Sequence, residues 1–169
     1  MKKRIFLVLL AVFFIPSLLK AQDKKFHAVF IYNFYKQMQW PASYENQDFV
    51  IAVIGDSPLI ETLGKVTATK TAGTSNKFII KKVNSLDEVA LCHIIFIPLE
   101  KSNLLPNVIA KFGSKPTLII TEKPGLGGQG SGINFVQVND RLKFELNQAS
   151  LKKANIKVAS SLLTLAIII

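Results

Sequence analysis

The chain has 169 residues, 49% of them hydrophobic and 19% charged. That length suits one domain, and the apolar share excludes a disordered chain, which could not bury enough surface to offset its entropy. Lys and Arg outnumber Asp and Glu by 21 to 11, a net charge of +10. The single cysteine excludes an internal disulfide framework and cysteine-rich zinc or iron–sulfur sites.

Residues 1–21 read as a secretory signal. Lys2, Lys3 and Arg4 form a positive start, Ile5 to Ile15 is apolar without a break, and Pro16 interrupts it. Leu19-Lys20-Ala21 then places a small residue before Gln22, so cleavage is expected after Ala21. The apolar run is shorter than the ~20 residues that span a bilayer. No cysteine stands at the cleavage point for lipid attachment. The expectation is an exported, periplasmic domain over residues 22–169. Removing the leader takes four basic residues with it and leaves +6. The remaining lysines are scattered, with pairs at Lys24-Lys25, Lys81-Lys82 and Lys152-Lys153. They form no concentrated stripe of the kind nucleic acid requires.

Residues 24–40 are expected to be helical. Phe26, Phe30 and Phe34 recur on one face with Val29, and Pro41 ends the pattern at Trp40. Phe49 to Ile54 is a continuous β-branched apolar run, a strand covered on both faces. Ser57 and Pro58 open a short helix, expected to stop at Gly64. A polar loop from Thr67 to Asn76 leads to a strand over Phe78–Val83. Ser85 and Glu88 make a capping box for a short helix. A buried strand over His93–Ile97, a helix over Ser102–Phe112 and a strand over Thr117–Thr121 follow. Ile133–Val138 and Leu142–Leu146 pair as an antiparallel hairpin across Asn139-Asp140-Arg141. The segment from Gln148 to Ile167 reads as a terminal helix kinked near Asn155. The fold class is therefore α/β: a mainly parallel open sheet flanked by helices, then a hairpin and a terminal helix.

Motifs for chemistry fail on context. Gly125-Leu-Gly127-Gly128-Gln-Gly130 matches G-x-G-x-x-G, but it leads into a strand. No helix N-terminus would meet a pyrophosphate, so a dinucleotide cofactor is excluded. Cys92 and His93 are adjacent in a strand and point to opposite faces, so they do not share a metal. His27 and His93 read as structural, and Cys92 as a buried hydrophobe. No nucleophile elbow occurs. Asp56 follows the first strand, where open α/β sheets hold ligands, yet a lone carboxylate there is more often a loop residue. No cofactor, metal or catalytic residue is expected.

Taken together, several blocks resemble the YfiR-like family. They are Phe30-Ile-Tyr-Asn-Phe-Tyr with Gln39-Trp40-Pro41, Val53-Ile-Gly-Asp56, Cys92-His-Ile-Ile-Phe-Ile97, and Gly127-Gly128 followed by Gly132-Ile-Asn-Phe-Val136. Arg141-Leu-Lys-Phe-Glu-Leu-Asn147 and Ile156-Lys-Val-Ala-Ser-Ser-Leu-Leu163 complete the set. The resemblance runs in order from Phe26 to Ala166. It implies a periplasmic α/β domain, often dimeric and without catalysis, that restrains an inner-membrane diguanylate cyclase and so links the envelope to cyclic-di-GMP and biofilm output. An outer-membrane partner is a further implied contact. The candidate contact residues are Gly127, Gly128, Gly132, Asn134 and Phe135 in and after the glycine loop, with Asn33 and Trp40 on and beyond the first helix. Two departures stand out. The cysteines that well-studied members use for disulfides are reduced here to Cys92, and Gln129, Gly130 and Ser131 lengthen the glycine loop. The alternative function is an envelope small-ligand module, its site expected in the crevice beyond Gly55-Asp56 and Pro98.

Overall fold

The computed structural model describes residues 24–45, 47–73 and 75–169. The proposed signal, residues 1–21, lies outside the described residues.

Helix α1 covers 24–37. It is followed by β1 (Met38–Gln39), α2 (Ala42–Glu45), β2 (Phe49–Ile54), α3 (Leu59–Thr67) and β3 (Phe78–Val83). Then come β4 (Ile94–Ile97), α4 (Leu105–Phe112), β5 (Leu118–Thr121), β6 (Ile133–Val138) and β7 (Arg141–Leu146). The chain continues through α5 (Gln148–Lys153), β8 (Lys157–Val158), α6 (Ser160–Leu163) and β9 (Ile167–Ile168). Short 3-10 turns precede β4 and α4 and occupy the glycine loop.

Seven strands form one sheet in the order β3-β2-β4-β5-β6-β7-β9. Its pairs are parallel from β3 through β6, antiparallel at the β6–β7 hairpin, and parallel again between β7 and β9. Alternation along the strands divides the interior into two cores. Phe49, Ile51, Val53, Ile94, Phe96, Leu118 and Ile120 face one side, where α1, α3 and the segment from α5 to α6 cover them. Ala52, Ile54, Ile95, Ile97 and Ile119 face the other, under Leu105, Val108 and Phe112 of α4. Every residue of β4 and β5 is buried, as a parallel strand covered on both faces requires. Edge strand β3 turns Lys81 and Lys82 outward, which discourages further strand pairing.

The sheet, the hairpin and the capping box follow the sequence reading. Ser85 accepts from Asp87 N at 3.3 Å, and Glu88 accepts from Ser85 N at 3.1 Å. The hairpin turn is two residues, Asn139 at φ 50 and Asp140 at φ 58, one fewer than read, because Arg141 belongs to β7 and pairs with Val138. This backbone matches the twist of the flanking strands.

Other boundaries differ more widely. Helix α1 stops at 37 because residues 38–39 find strand partners: Met38 pairs with Val158 and Gln39 with Lys157. Gly64 does not stop α3, which runs on to Thr67, because it does not take the left-handed backbone with which a glycine closes a helix. The helix read from Ser102 begins as a 3-10 turn, Leu99–Leu104, before α4. The terminal helix is not continuous. Asn155 adopts φ 55, a left-handed residue that closes α5, and Ile156 N donates back to Leu151 O at 3.0 Å. Beyond it Lys157–Val158 pair with β1, and Ile167–Ile168 add to the free edge of β7. Those two pairings hold the chain extended where local preference favours helix.

Candidate binding site

The glycine loop is fixed by a polar cluster at the C-terminal end of β5. Thr121, Ser131 and Asn134 are all buried. The Thr121 hydroxyl lies 2.8 Å from both Ser131 Oγ and Asn134 Oδ1. Asn134 Nδ2 donates to Glu145 Oε2 at 2.8 Å, and Ser131 Oγ donates to Ile133 O. Asn147 Nδ2 donates to Gly127 O at 2.9 Å, and Ser150 Oγ to Gly130 O at 3.1 Å. Each buried polar group thereby has a partner, which avoids a desolvation cost of about 1–3 kcal/mol per group. The cluster contains no base placed to activate a hydroxyl, so it holds the loop to the hairpin.

Gly127 is glycine because of close approach. A methyl group built there would lie 2.5 Å from Glu145 Oε2 and 2.6 Å from Ile169 Cδ1. Gly127→Val is expected to push Glu145 off Asn134 and to cost about 1–3 kcal/mol through overpacking, read as a lower urea midpoint at an unchanged m-value. A variant as stable as the parent would show that the contact yields freely.

The seven sequence-derived contact residues separate by depth. Gly132, Asn134 and Phe135 are buried in the hairpin, Trp40 is 6% exposed, and Gly127 is buried beneath Glu145. Asn134 and Phe135 hold the hairpin through their side chains, and Trp40 lines a cavity. Gly128 is exposed and Asn33 is half-buried. Phe26 and Val29, read onto the apolar face of α1 with Phe30 and Phe34, instead reach the surface, as do Leu165, Ile167, Ile168 and Ile169 at the β7–β9 edge.

At the crevice expected to hold ligands, Lys101 Cε lies 3.2 Å from where a Gly55 methyl would stand, and Asp56, almost fully exposed, pairs with Lys82. A cavity of about 560 Å³ opens instead at the opposite, N-terminal ends of β2 and β4, between α1, β1, α2 and the Thr71–Gly73 turn. Trp40, Tyr44, Phe49 and His93 form its inner wall. Their rings interlock: Trp40 meets Phe49 edge-on at 5.0 Å, and Phe49 stacks on His93 at 4.4 Å. Tyr35 packs edge-on to Phe49 at 4.7 Å, and its hydroxyl accepts from Gly73 N at 2.7 Å. His93 Nδ1 accepts from Val50 N at 3.1 Å, while Nε2 lies 3.0 Å from Tyr44 O. Only the neutral ring with its proton on Nε2 satisfies both. Burial lowers the His93 pKa, against the raising effect of the Tyr44 carbonyl.

His27 and Cys92 are closed to solvent. The His27 ring stacks on Phe135 at 4.2 Å, with Nδ1 3.4 Å from Glu122 Oε2. Glu122 already accepts from Lys24 and from Leu99 N at 3.0 Å. Burial, with the Lys24 charge, pushes the His27 pKa down to about 3. The Cys92 thiol lies fully buried in the second core, and burial pushes its pKa up to about 12. Since the thiolate is the reactive form, Cys92 is expected to resist iodoacetamide in the native protein and to react in denaturant; mass-spectrometric counting of adducts checks this. Among the described residues no three His, Cys, Asp or Glu side chains gather as a metal site, and no helix is long and apolar enough to cross a membrane.

A family model described as YfiR/HmsC-like matches residues 24–167. No curated protein matches the chain.

Proposed function

The chain belongs to the YfiR/HmsC-like family, and from that membership we propose that it is a periplasmic, non-enzymatic regulator that binds and restrains an inner-membrane signalling protein such as a diguanylate cyclase. In this reading residues 1–21 are removed on export and residues 22–169 act as one domain. The observation that carries it is the exposed apolar surface beside the glycine loop. Leu165 is 63% exposed, and Ile168 and Ile169 are 44% and 45% exposed. Isolated exposed apolar residues are ordinary, but several together mark interaction sites. Gly127 shapes the adjoining loop, since Ile169 packs directly on it.

Photo-cross-linking from position 168 in intact cells tests this. The expected product is an adduct with a membrane protein carrying a periplasmic segment, lost in Leu165→Glu at unchanged melting temperature. An outer-membrane protein or a second copy of the chain as the sole adduct would replace the inner-membrane partner. No adduct under native expression would remove the reading.

A further inference from the structure

The aromatic cavity at the N-terminal ends of β2 and β4 lies apart from the β7–β9 edge used above and has its own chemistry. Its volume, about 560 Å³, falls in the range of roughly 300–1,000 Å³ typical of small-molecule sites. Trp40, Tyr44 and Phe49 give it flat apolar walls. The Trp40 indole N–H is closed off from water and has no acceptor among the described residues, although Trp40 is 94% enclosed by 6% exposure and a buried unpaired donor is unfavourable by about 1–3 kcal/mol.

The charge on this wall has one sign. Lys36 is the charged side chain on the described lining, and no acidic side chain joins it there. Lys70 Nζ adds a second positive charge 5.0 Å above the Tyr32 ring, which also lines the cavity. Flat aromatic walls select a planar ring, and the lysine rim selects a negative group beside it. We propose that this cavity binds a small aromatic carboxylate, its ring against Trp40 and Phe49 and its carboxylate facing Lys36. The interlocked rings and the His93 tether to Tyr44 and Val50 hold the walls in place before the ligand arrives, which lowers the entropic cost of binding.

Trp40 is the only tryptophan in the chain, so its fluorescence reports on this cavity alone. Phenylacetate is the probe, titrated into the full mature protein with Trp40 emission and calorimetry read in parallel. The expected result is a saturable change. Phenylacetamide, which keeps the ring and loses the charge, should bind about tenfold more weakly, as should phenylacetate to Lys36→Met, the equivalent of one contact of ~1.4 kcal/mol. Lys36 is exposed, so its replacement leaves folding intact, and Lys153→Met on a distant helix serves as the charge control. No saturation with phenylacetate, as when the cavity takes a protein segment instead, overturns the proposal. So does equal affinity for acid and amide, or equal weakening by the two lysine variants. Cross-linking from position 168 is read separately, so failure here leaves the partner reading standing, and the reverse.

Discussion

Phe135→Ala is expected to lower stability by about 3–5 kcal/mol, the range for an aromatic side chain removed from a packed core. Phe135 is 2% exposed and lies at the meeting point of three elements. Its ring stacks with His27 of α1 at 4.2 Å and with Phe34 at 6.0 Å, and it is the direct hairpin partner of Phe144. Removing it uncouples α1 from the β6–β7 hairpin as well as opening a cavity. Urea denaturation followed by circular dichroism measures the loss. A change below about 1 kcal/mol, outside the range expected for buried aromatics, would mean that the surroundings collapse into the space. Read beside cross-linking from position 168, the same experiment separates the two roles this residue could hold. Loss of partner capture at unchanged stability would make Phe135 a contact residue; loss of both together is the expected outcome.

Acid should unfold the domain early, because its two histidines are held neutral. His27 titrates near pH 6.5 when unfolded and near 3 when folded. Below pH 6.5 the unfolded chain therefore binds a proton that the folded chain refuses. Stability is full above pH 6.5 and falls as pH drops towards 3, by at most about 1.4 kcal/mol per pH unit for each such histidine. Burial sets the sign, and the groups facing His27 do not reverse it. Lys24 opposes its protonation, and the charge on Glu122 is engaged by Lys24 and by the Leu99 amide. His93 adds a slope of the same sign, since burial lowers its pKa too. His27→Gln should flatten the stability curve between pH 6 and 4 without removing its slope. A midpoint in urea that does not change between pH 7 and pH 4 would show that both rings accept protons in the folded state.

How far the sequence can be read depends on whether local pattern or distant pairing decides each element. The buried strands are legible because an apolar run such as Ile94–Ile97 fits only the centre of a covered sheet. The turn around Asn139-Asp140 is legible, though not its exact length, because those residues tolerate a left-handed backbone. The end of α1 and the split tail are not, since both depend on Met38–Gln39 meeting Lys157–Val158. The site was legible only in part. The glycines and Asn134 stand out by residue type, yet what Gly127 and Asn134 do depends on Glu145 reaching under the loop. Trp40, expected as a partner contact, is a cavity wall. That difference comes from the position of α2 and the Thr71–Gly73 turn, which no periodicity encodes.

The β1–β8 ladder has a consequence for biogenesis. Helix α1 emerges first, yet the residues that fix its end, Lys157 and Val158, are made more than a hundred positions later. Contacts that far apart slow the final collapse. A nascent polypeptide would thus carry an uncovered aromatic stripe, including Phe30 and Phe34, until nearly the whole chain exists. A chain that completes its core so late leaves that stripe open to wrong contacts longest, and it has reason to be met by a holdase.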